Sequence, residues 1–158
     1  MSQSMPVQVA VAYSNEEKAR IRLGATPLLI PQRQTSGSAG LDLYAAEEGR
    51  CGPGWRVKVP TGISIAIPAG NSGLVFPRSG RNLATGLRLS NGVGVVDADF
   101  RGELSVVLTA DEEVTWERGE RIAQLVIVPF VAAVLQLQES LDETARGTGG
   151  WGSTGQKG

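Results

Sequence analysis

Two short polar segments combine the residue types that could hold an anion or a metal. Asp42 stands among apolar residues in the segment 38–45, and Arg78, Ser79 and Gly80 open the one helix-like stretch of the chain. Free amides at a helix start, with a hydroxyl and a guanidinium nearby, are a typical anion site. The ordinary alternatives are a surface aspartate and a capped turn with a solvated arginine.

A third segment, residues 91–103, has two glycines, Gly92 and Gly94, shortly before a cluster of carboxylates. Glycine lets a backbone approach a ligand closely, and Val95 and Val96 lead directly into Asp97. Such a hairpin can offer amides and carbonyls to a planar base while it presents Asp97 to water. The alternative is an ordinary β-hairpin with a charged turn.

A glycine-rich tail, residues 145–158, contains six glycines and Trp151 as its single large apolar side chain. It cannot bury enough surface to fold alone. Its G-x-G-x-x-G spacing is no dinucleotide fingerprint, because no helix can follow in the residues that remain. Its amides, its hydroxyls and Arg146 can wrap a polyphosphate. We predict either a disordered end or a flap that orders on a bound ligand.

The composition restricts which catalysts are available. The 158 residues include no histidine and a single cysteine, Cys51. Serine–histidine and cysteine–histidine mechanisms are therefore excluded, as is a zinc site within one chain. Any acid or base must be a carboxylate, lysine or tyrosine, and an essential metal should be a hard ion such as magnesium.

Charge and hydropathy exclude further classes of protein. Fifteen basic and sixteen acidic side chains leave a net charge of −1, which argues against nucleic acid or a membrane surface as partner. The longest apolar stretch, residues 125–135, is too short to cross a bilayer. Residues 1–20 resemble neither a signal nor a transit peptide. The lone cysteine fits a reducing compartment, so we expect a cytoplasmic protein or one in another reducing compartment.

Alternating apolar and polar residues predict the elements that position these segments. Residues 55–59 and 63–67 alternate clearly, and turn-forming residues separate nearly all such runs. About ten short strands of this kind predict one domain that is an all-β barrel or sandwich of the jelly-roll kind. Only residues 81–85 could be helical, with Ser79 as N-cap and Gly86 as the stop.

Taken together and in order, these motifs resemble those of the trimeric dUTP pyrophosphatase (dUTPase) family over residues 21–155. The matching motifs are residues 39–45, 78–80, 91–103, 119–125 and 146–155. The resemblance implies that residues 20–144 form a distorted jelly-roll barrel that includes one short helix. Residues 1–19 precede the match, and we expect them to be a weakly ordered extension. The resemblance also implies that residues 145–158 form a flexible C-terminal flap.

The resemblance also implies the chemistry. Family members cleave dUTP to dUMP and pyrophosphate, with water attacking the α-phosphorus and magnesium bound to the phosphates. Asp97 matches the general base. Gln124 matches a second catalytic residue, which holds a phosphate, and Asp42 would reach magnesium through water. The substrate-binding positions carried over are Arg78, Ser79, Gly80, Asn91, Gly94, Val95, Val96, Phe100, Arg146, Gly149, Gly150, Trp151, Gly152, Ser153 and Thr154.

By the same resemblance, the chain forms a homotrimer whose active sites are shared between subunits. The first, second and fourth motifs come from one chain, the third from a neighbour and the tail from the third chain. Phe100 stands where the family usually has tyrosine, and Trp151 where it usually has phenylalanine. Both rings can still stack on the nucleotide.

Two other functions compete with this interpretation. The dCTP deaminases share the fold, but Arg78-Ser79-Gly80 lacks the second serine and the leucine that follow in those enzymes. Ammonia release from dCTP would favour them. A non-catalytic, regulatory dUTPase-like trimer is the other alternative, and no feature of the sequence supports it.

Overall fold

Short antiparallel strands are the main secondary structure of residues 7–150, the part of the chain that a computed structural model describes. The strands are β1 (Ala10–Tyr13), β2 (Leu41–Tyr44), β3 (Gly49–Cys51), β4 (Val57–Pro60), β5 (Ile63–Ala66), β6 (Asn71–Phe76), β7 (Arg88–Leu89), β8 (Gly94–Val96), β9 (Ser105–Thr109), β10 (Val114–Trp116) and β11 (Arg121–Pro129). The helices are α1 (Asn15–Arg22) and α2 (Ser79–Thr85). The predicted all-β, jelly-roll-type fold is confirmed.

The longest strand, β11, is central to the sheet that carries the polar motifs. Four strands pair there in the order β2-β11-β6-β8, while β4-β9-β7, β1-β5 and β3-β10 form the smaller sheets. Gln124 of β11 lies opposite Asp42 of β2 on one side and Phe76 of β6 on the other. Strand pairing alone therefore brings residues distant in sequence to one place.

One apolar core holds these sheets together. Alternation along the strands places Leu43, Ile63, Leu108, Ile122 and Leu125 inside it, each almost completely buried. Burial of each such side chain stabilises the fold by about 1.5–3 kcal/mol. The polar positions between them consequently sit on a rigid scaffold.

The N-terminal region is more ordered than the sequence predicted. We expected a weakly ordered extension through residue 19, yet β1 pairs with β5 and a second helix, α1, follows it. Ser14 caps α1 by accepting a hydrogen bond from Glu17 N at 3.1 Å. The one buried residue of α1 is Glu17, a carboxylate. Apolar periodicity cannot detect a helix that buries a charged side chain.

Helix α2 begins slightly earlier than predicted. Its N-cap is Arg78, which makes no side-chain capping bond, so the assignment of Ser79 as N-cap was wrong. Gly86 ends the helix as predicted, with φ of 67° and its amide donating to Asn82 O at 2.7 Å. A positive φ favours glycine at such a C-cap.

The last strand also ends earlier than the predicted barrel boundary at residue 144. Pro129 closes β11, and residues 130–150 form no strand or helix. Within residues 7–150, neither helix is long and apolar enough to cross a membrane.

Candidate active site

A cavity of about 430 Å³ brings together residues of three predicted motifs. Asp42 of β2, Arg78, Ser79 and Gly80 at the start of α2, and Gln124 of β11 all line it. Their meeting follows from the sheet order, because β2 and β6 flank β11 and Arg78 follows soon after the end of β6. The cavity offers a guanidinium, a hydroxyl and an amide to an anion.

Two arginines hold the carboxylate at the edge of this cavity. Arg78 Nε lies 3.1 Å from Asp42 Oδ1, and Arg121 NH1 lies 3.4 Å from Oδ2. The Asp42 side chain is only 9% exposed. Two guanidinium groups against one carboxylate leave the cluster with an excess of positive charge. The site is therefore electrostatically suited to a polyanion.

Arg121 was not among the predicted site residues. In the sequence, Arg121 looks like any solvent-exposed arginine. The direction of its side chain depends on an irregularity of β11. The pairing of β11 with β2 shifts register between Arg121 and Ala123. Bulges of this kind redirect side chains, and the sequence shows no signal for this one.

Gly40 provides the space that Gln124 occupies. Gln124 Nε2 donates to Pro77 O at 3.0 Å, which fixes the amide against the segment before α2. A Cβ at Gly40 would overlap Gln124 Oε1 and lie 3.2 Å from its Cδ. The absence of a side chain at residue 40 thus lets Gln124 keep its position in the cavity wall.

The third motif lines a separate cavity of about 320 Å³. Val95, Val96, Asp97 and Phe100 contribute to it, and Asp97 is exposed directly after β8. Phe100 N donates to Asp97 O at 3.2 Å, which closes a turn between them. The Phe100 ring is 43% exposed and can stack on a ligand.

The remaining hairpin residues lie beside that cavity. Asn91 and Gly94 line a smaller space of about 150 Å³, together with Val95 and Val96. Gly94 pairs with Val75 of β6 and belongs to β8, so its backbone is fixed by the sheet. Because β8 is the edge strand of the order β2-β11-β6-β8, one side of the hairpin faces away from the other strands of that sheet.

Within one chain, Asp97 and Arg78 lie at opposite ends of β6. Val96 pairs with Gly73, and Asp97 follows at that end, whereas Arg78 comes after Phe76 at the other. Residues 73–76 alone span about 10 Å, so the backbone positions of Asp97 and Arg78 are further apart than this. Their cavities share no lining residue. One chain does not bring the predicted base to the predicted phosphate site.

The tail residues that the structure describes contact neither cavity. Arg146 Nε donates to Gly149 O at 2.9 Å, and Gly149 N returns a bond to Arg146 O at 3.0 Å. These bonds close a local turn, and Gly150 is exposed after it. The other predicted tail residues lie outside the described residues. They are Trp151, Gly152, Ser153 and Thr154.

The side chains that the structure describes provide neither a cluster of metal ligands nor a reactive thiol. In the described range, residues 7–150, no three histidine, cysteine or acidic side chains are grouped so that they could hold a metal ion. Burial raises the pKa of the Cys51 thiol, which donates to Leu108 O at 3.5 Å. A protonated, buried thiol is a poor nucleophile, so Cys51 serves packing.

The chain is similar to known proteins along nearly its whole length. The dUTPase family model matches residues 26–155. The deoxyuridine 5'-triphosphate nucleotidohydrolase of Anaeromyxobacter sp. (strain Fw109-5) is 47% identical over 154 residues, covering 96% of this chain and 100% of that protein. The enzyme of the same name from Syntrophotalea carbinolica is 48% identical over 131 residues, covering 80% of this chain and 89% of that protein.

Solved structures share the fold. The Staphylococcus bacteriophage 80alpha dUTPase with dUpNHpp has a TM-score of 0.78 and 26% identity, covering 94% of this chain and 98% of that one. A mutant dUTPase from phage phi11 of S. aureus, described as coordinating a structural Mg(II) ion, has a TM-score of 0.70 and 23% identity, covering 84% of this chain and 97% of that one. At that lower identity the likeness concerns the fold alone.

Proposed function

Because the chain belongs to the dUTPase family, we propose that it hydrolyses dUTP to dUMP and pyrophosphate. The observation that carries this proposal is the cavity where Asp42, Arg78 and Gln124 meet. Its excess positive charge and its hydrogen-bond donors suit a polyphosphate. The activity would limit uracil entry into DNA and supply dUMP for thymidylate synthesis.

The phosphates bind at the start of α2 in this proposal. Arg78 approaches Asp42 through Nε, so its terminal amino groups remain available to phosphate oxygens. Ser79 and Gly80 line the same cavity and add a hydroxyl and a backbone amide. Gln124, fixed through Pro77 O, holds a further oxygen and keeps the phosphates aligned with the attacking water.

Asp97 acts as the general base. Its exposed carboxylate orients a water molecule and accepts its proton as the water oxygen bonds to the α-phosphorus. The bond from that phosphorus to the oxygen bridging toward the β-phosphate then breaks, and pyrophosphate leaves. A carboxylate fits this task in a chain without histidine.

The hairpin from Asn91 to Phe100 recognises the nucleoside. Asn91, Gly94, Val95 and Val96 would offer backbone groups to uracil at β8, an edge strand of its sheet, and the slot there would be too narrow for a methyl group at carbon 5. Phe100 stacks beneath the deoxyribose. Exclusion of thymine is then steric.

Asp42 is the residue that would hold magnesium, through water, when the ion enters with the substrate. The residues fit this arrangement. Among the described residues, Asp42 is the one carboxylate that lines the phosphate cavity, and each of its two oxygens already contacts an arginine, so it cannot surround a metal ion by itself. Such a carboxylate can reach a metal through water, while phosphate oxygens supply the other ligands. The bound ion would neutralise charge on the phosphates. Asp42 itself holds Arg78 and Arg121 in place.

A shared active site requires more than one copy of the chain. Asp97 and Arg78 lie at opposite ends of β6 and in separate cavities of one chain, so in this proposal Asp97 comes from a neighbour. The stretch after β11 also exposes much apolar surface. Five of its large apolar side chains are 85–101% exposed, namely Val131, Val134, Leu135, Leu137 and Leu141. Such surface favours contact with another copy. We take the assembly to be the homotrimer of the family, with the flap at residues 145–158 closing each site.

The test is pyrophosphate release from dUTP, dCTP, dTTP and UTP under identical conditions. We expect release from dUTP at a kcat/KM at least roughly a hundredfold above the other three, because both base and sugar are read. Ammonia release from dCTP would support the deaminase alternative instead. Failure to release pyrophosphate from any of the four would overturn the proposal.

A further inference from the structure

A buried carboxylate on α1 has no part in the chemistry described above. The Glu17 side chain is completely buried, and its Oε1 accepts hydrogen bonds from Leu28 N, at 3.2 Å, and from Arg118 NH2. Its Oε2 lies 3.9 Å from Arg20 NH1, too far for a hydrogen bond. A buried charge is costly unless it is paired, so the Arg118 contact compensates Glu17.

Arg118 belongs to the tight turn at residues 117–120, which leads into β11. Besides Glu17, its guanidinium donates to Thr26 O at 2.9 Å. The backbone of the turn is fixed from the other side, where Gly119 N donates to Ala45 O at 2.8 Å. The N-terminal region therefore holds this turn through the Arg118 side chain, and the barrel holds it through the backbone of Gly119.

This turn leads directly to the phosphate cavity. Arg121 follows it and contacts Asp42 Oδ2 at 3.4 Å, while Arg78 contacts Oδ1 at 3.1 Å. Glu120, within the turn, pairs with Arg81 of α2 at 2.8 Å. A shift of the turn would therefore move contacts on β2, which carries Asp42, and on α2, whose N-cap is Arg78.

We propose that Glu17 is a positioning residue for phosphate binding. By holding Arg118 it fixes the turn at residues 117–120, and through Arg121 and Asp42 it sets the direction of Arg78. This inference rests on the proposed role of that cavity in binding phosphate. Its distinguishing consequence is that loss of the Glu17 charge weakens phosphate binding more than nucleoside binding. The hairpin that contains β8 is attached to β6 and has no contact with this turn among those described.

The experiment compares the full-length protein with its Glu17→Gln variant. Inhibition constants are measured for inorganic pyrophosphate and for deoxyuridine, both against dUTP hydrolysis. We expect the constant for pyrophosphate to rise about tenfold, the size of one lost charge-assisted hydrogen bond, while that for deoxyuridine stays within about twofold. Glu16→Gln is the matched control, because Glu16 is the exposed neighbour of Glu17 in the same helix. It should leave both constants unchanged.

A double variant separates positioning from stability. Glu17→Gln leaves Arg118 partly buried and uncompensated, and it could lower stability enough to prevent folding. Glu17→Gln combined with Arg118→Gln removes both charges and should recover stability. Because the N-terminal region no longer holds the turn through the Arg118 side chain, the pyrophosphate constant should remain raised. The two substitutions should also be non-additive, as expected for groups that act as a unit.

Two results would overturn the inference. One is an unchanged pyrophosphate constant in a folded variant that lacks the Glu17 charge. The other is an equal rise for pyrophosphate and deoxyuridine, which would indicate general structural damage. The proposed function is tested separately by the unmodified protein: if it releases no pyrophosphate from dUTP, that function fails first.

Discussion

A single methyl group at residue 40 should disturb the phosphate cavity without touching any charged residue. In Gly40→Ala the new Cβ would overlap Gln124 Oε1 and lie 3.2 Å from Cδ and 3.3 Å from Cβ of the same side chain. Gln124 would have to rotate and give up its 3.0 Å bond to Pro77 O. Loss of that bond costs about 0.5–1.5 kcal/mol, and a strained rotamer costs a similar amount.

The expected total of about 2 kcal/mol should lower the melting temperature by about 4–8 °C for a domain of this size. Because Gln124 leaves the cavity wall, kcat/KM for dUTP should fall about tenfold or more. The assays are thermal unfolding and pyrophosphate release on the same preparations. Gly37→Ala is the control, since a Cβ at residue 37 meets no atom within 4 Å. A Gly40→Ala protein that matches the Gly37→Ala protein in both assays would refute this account of the cavity.

Three further predictions concern the base, the metal and the tail. Asp97→Asn should keep the fold and bind a non-hydrolysable dUTP analogue normally, yet lower kcat by about two to four powers of ten; near-normal turnover would remove Asp97 as the base. Chelation by EDTA should suppress hydrolysis without lowering the melting temperature, because no described side-chain cluster holds a metal, and unfolding on chelation would contradict this. Deletion of residues 145–158 should leave oligomer size and melting temperature unchanged but remove most activity; full activity of the shortened chain would show that the flap is dispensable.

The sequence predicts the barrel better than the N-terminal region. Alternating segments such as residues 63–67 become strands because one face of each is buried in the apolar core. Helix α1 was not predicted because Glu17, its buried residue, is charged and is compensated by Arg118, which is 101 positions away. Pairings at such sequence separation leave no local pattern.

In the site, too, residues that belong to local motifs could be predicted, whereas contacts that depend on strand pairing could not. Asp42, Arg78 and Gln124 could be assigned from motifs, and the sheet order brings them to one cavity. The contact of Arg121 with Asp42 depends on a register shift in β11, for which the sequence has no signal. The separation of Asp97 from Arg78 depends on which end of β6 each one occupies. Only the fold determines that.

In the proposed assembly, Asp97 of one copy and the Arg78 cavity of another form a single dUTP-hydrolysing site. Two inactive variants, Asp97→Asn and Arg78→Gln, can be co-refolded in equal amounts, and pyrophosphate release from dUTP measured on the mixed oligomers. If each site draws the two residues from different chains, random mixing restores both intact residues in about a quarter of the sites, and activity should return to about that fraction of the unmodified protein. Activity no greater than the sum of the two variants, in preparations shown to contain mixed oligomers, would contradict the shared site.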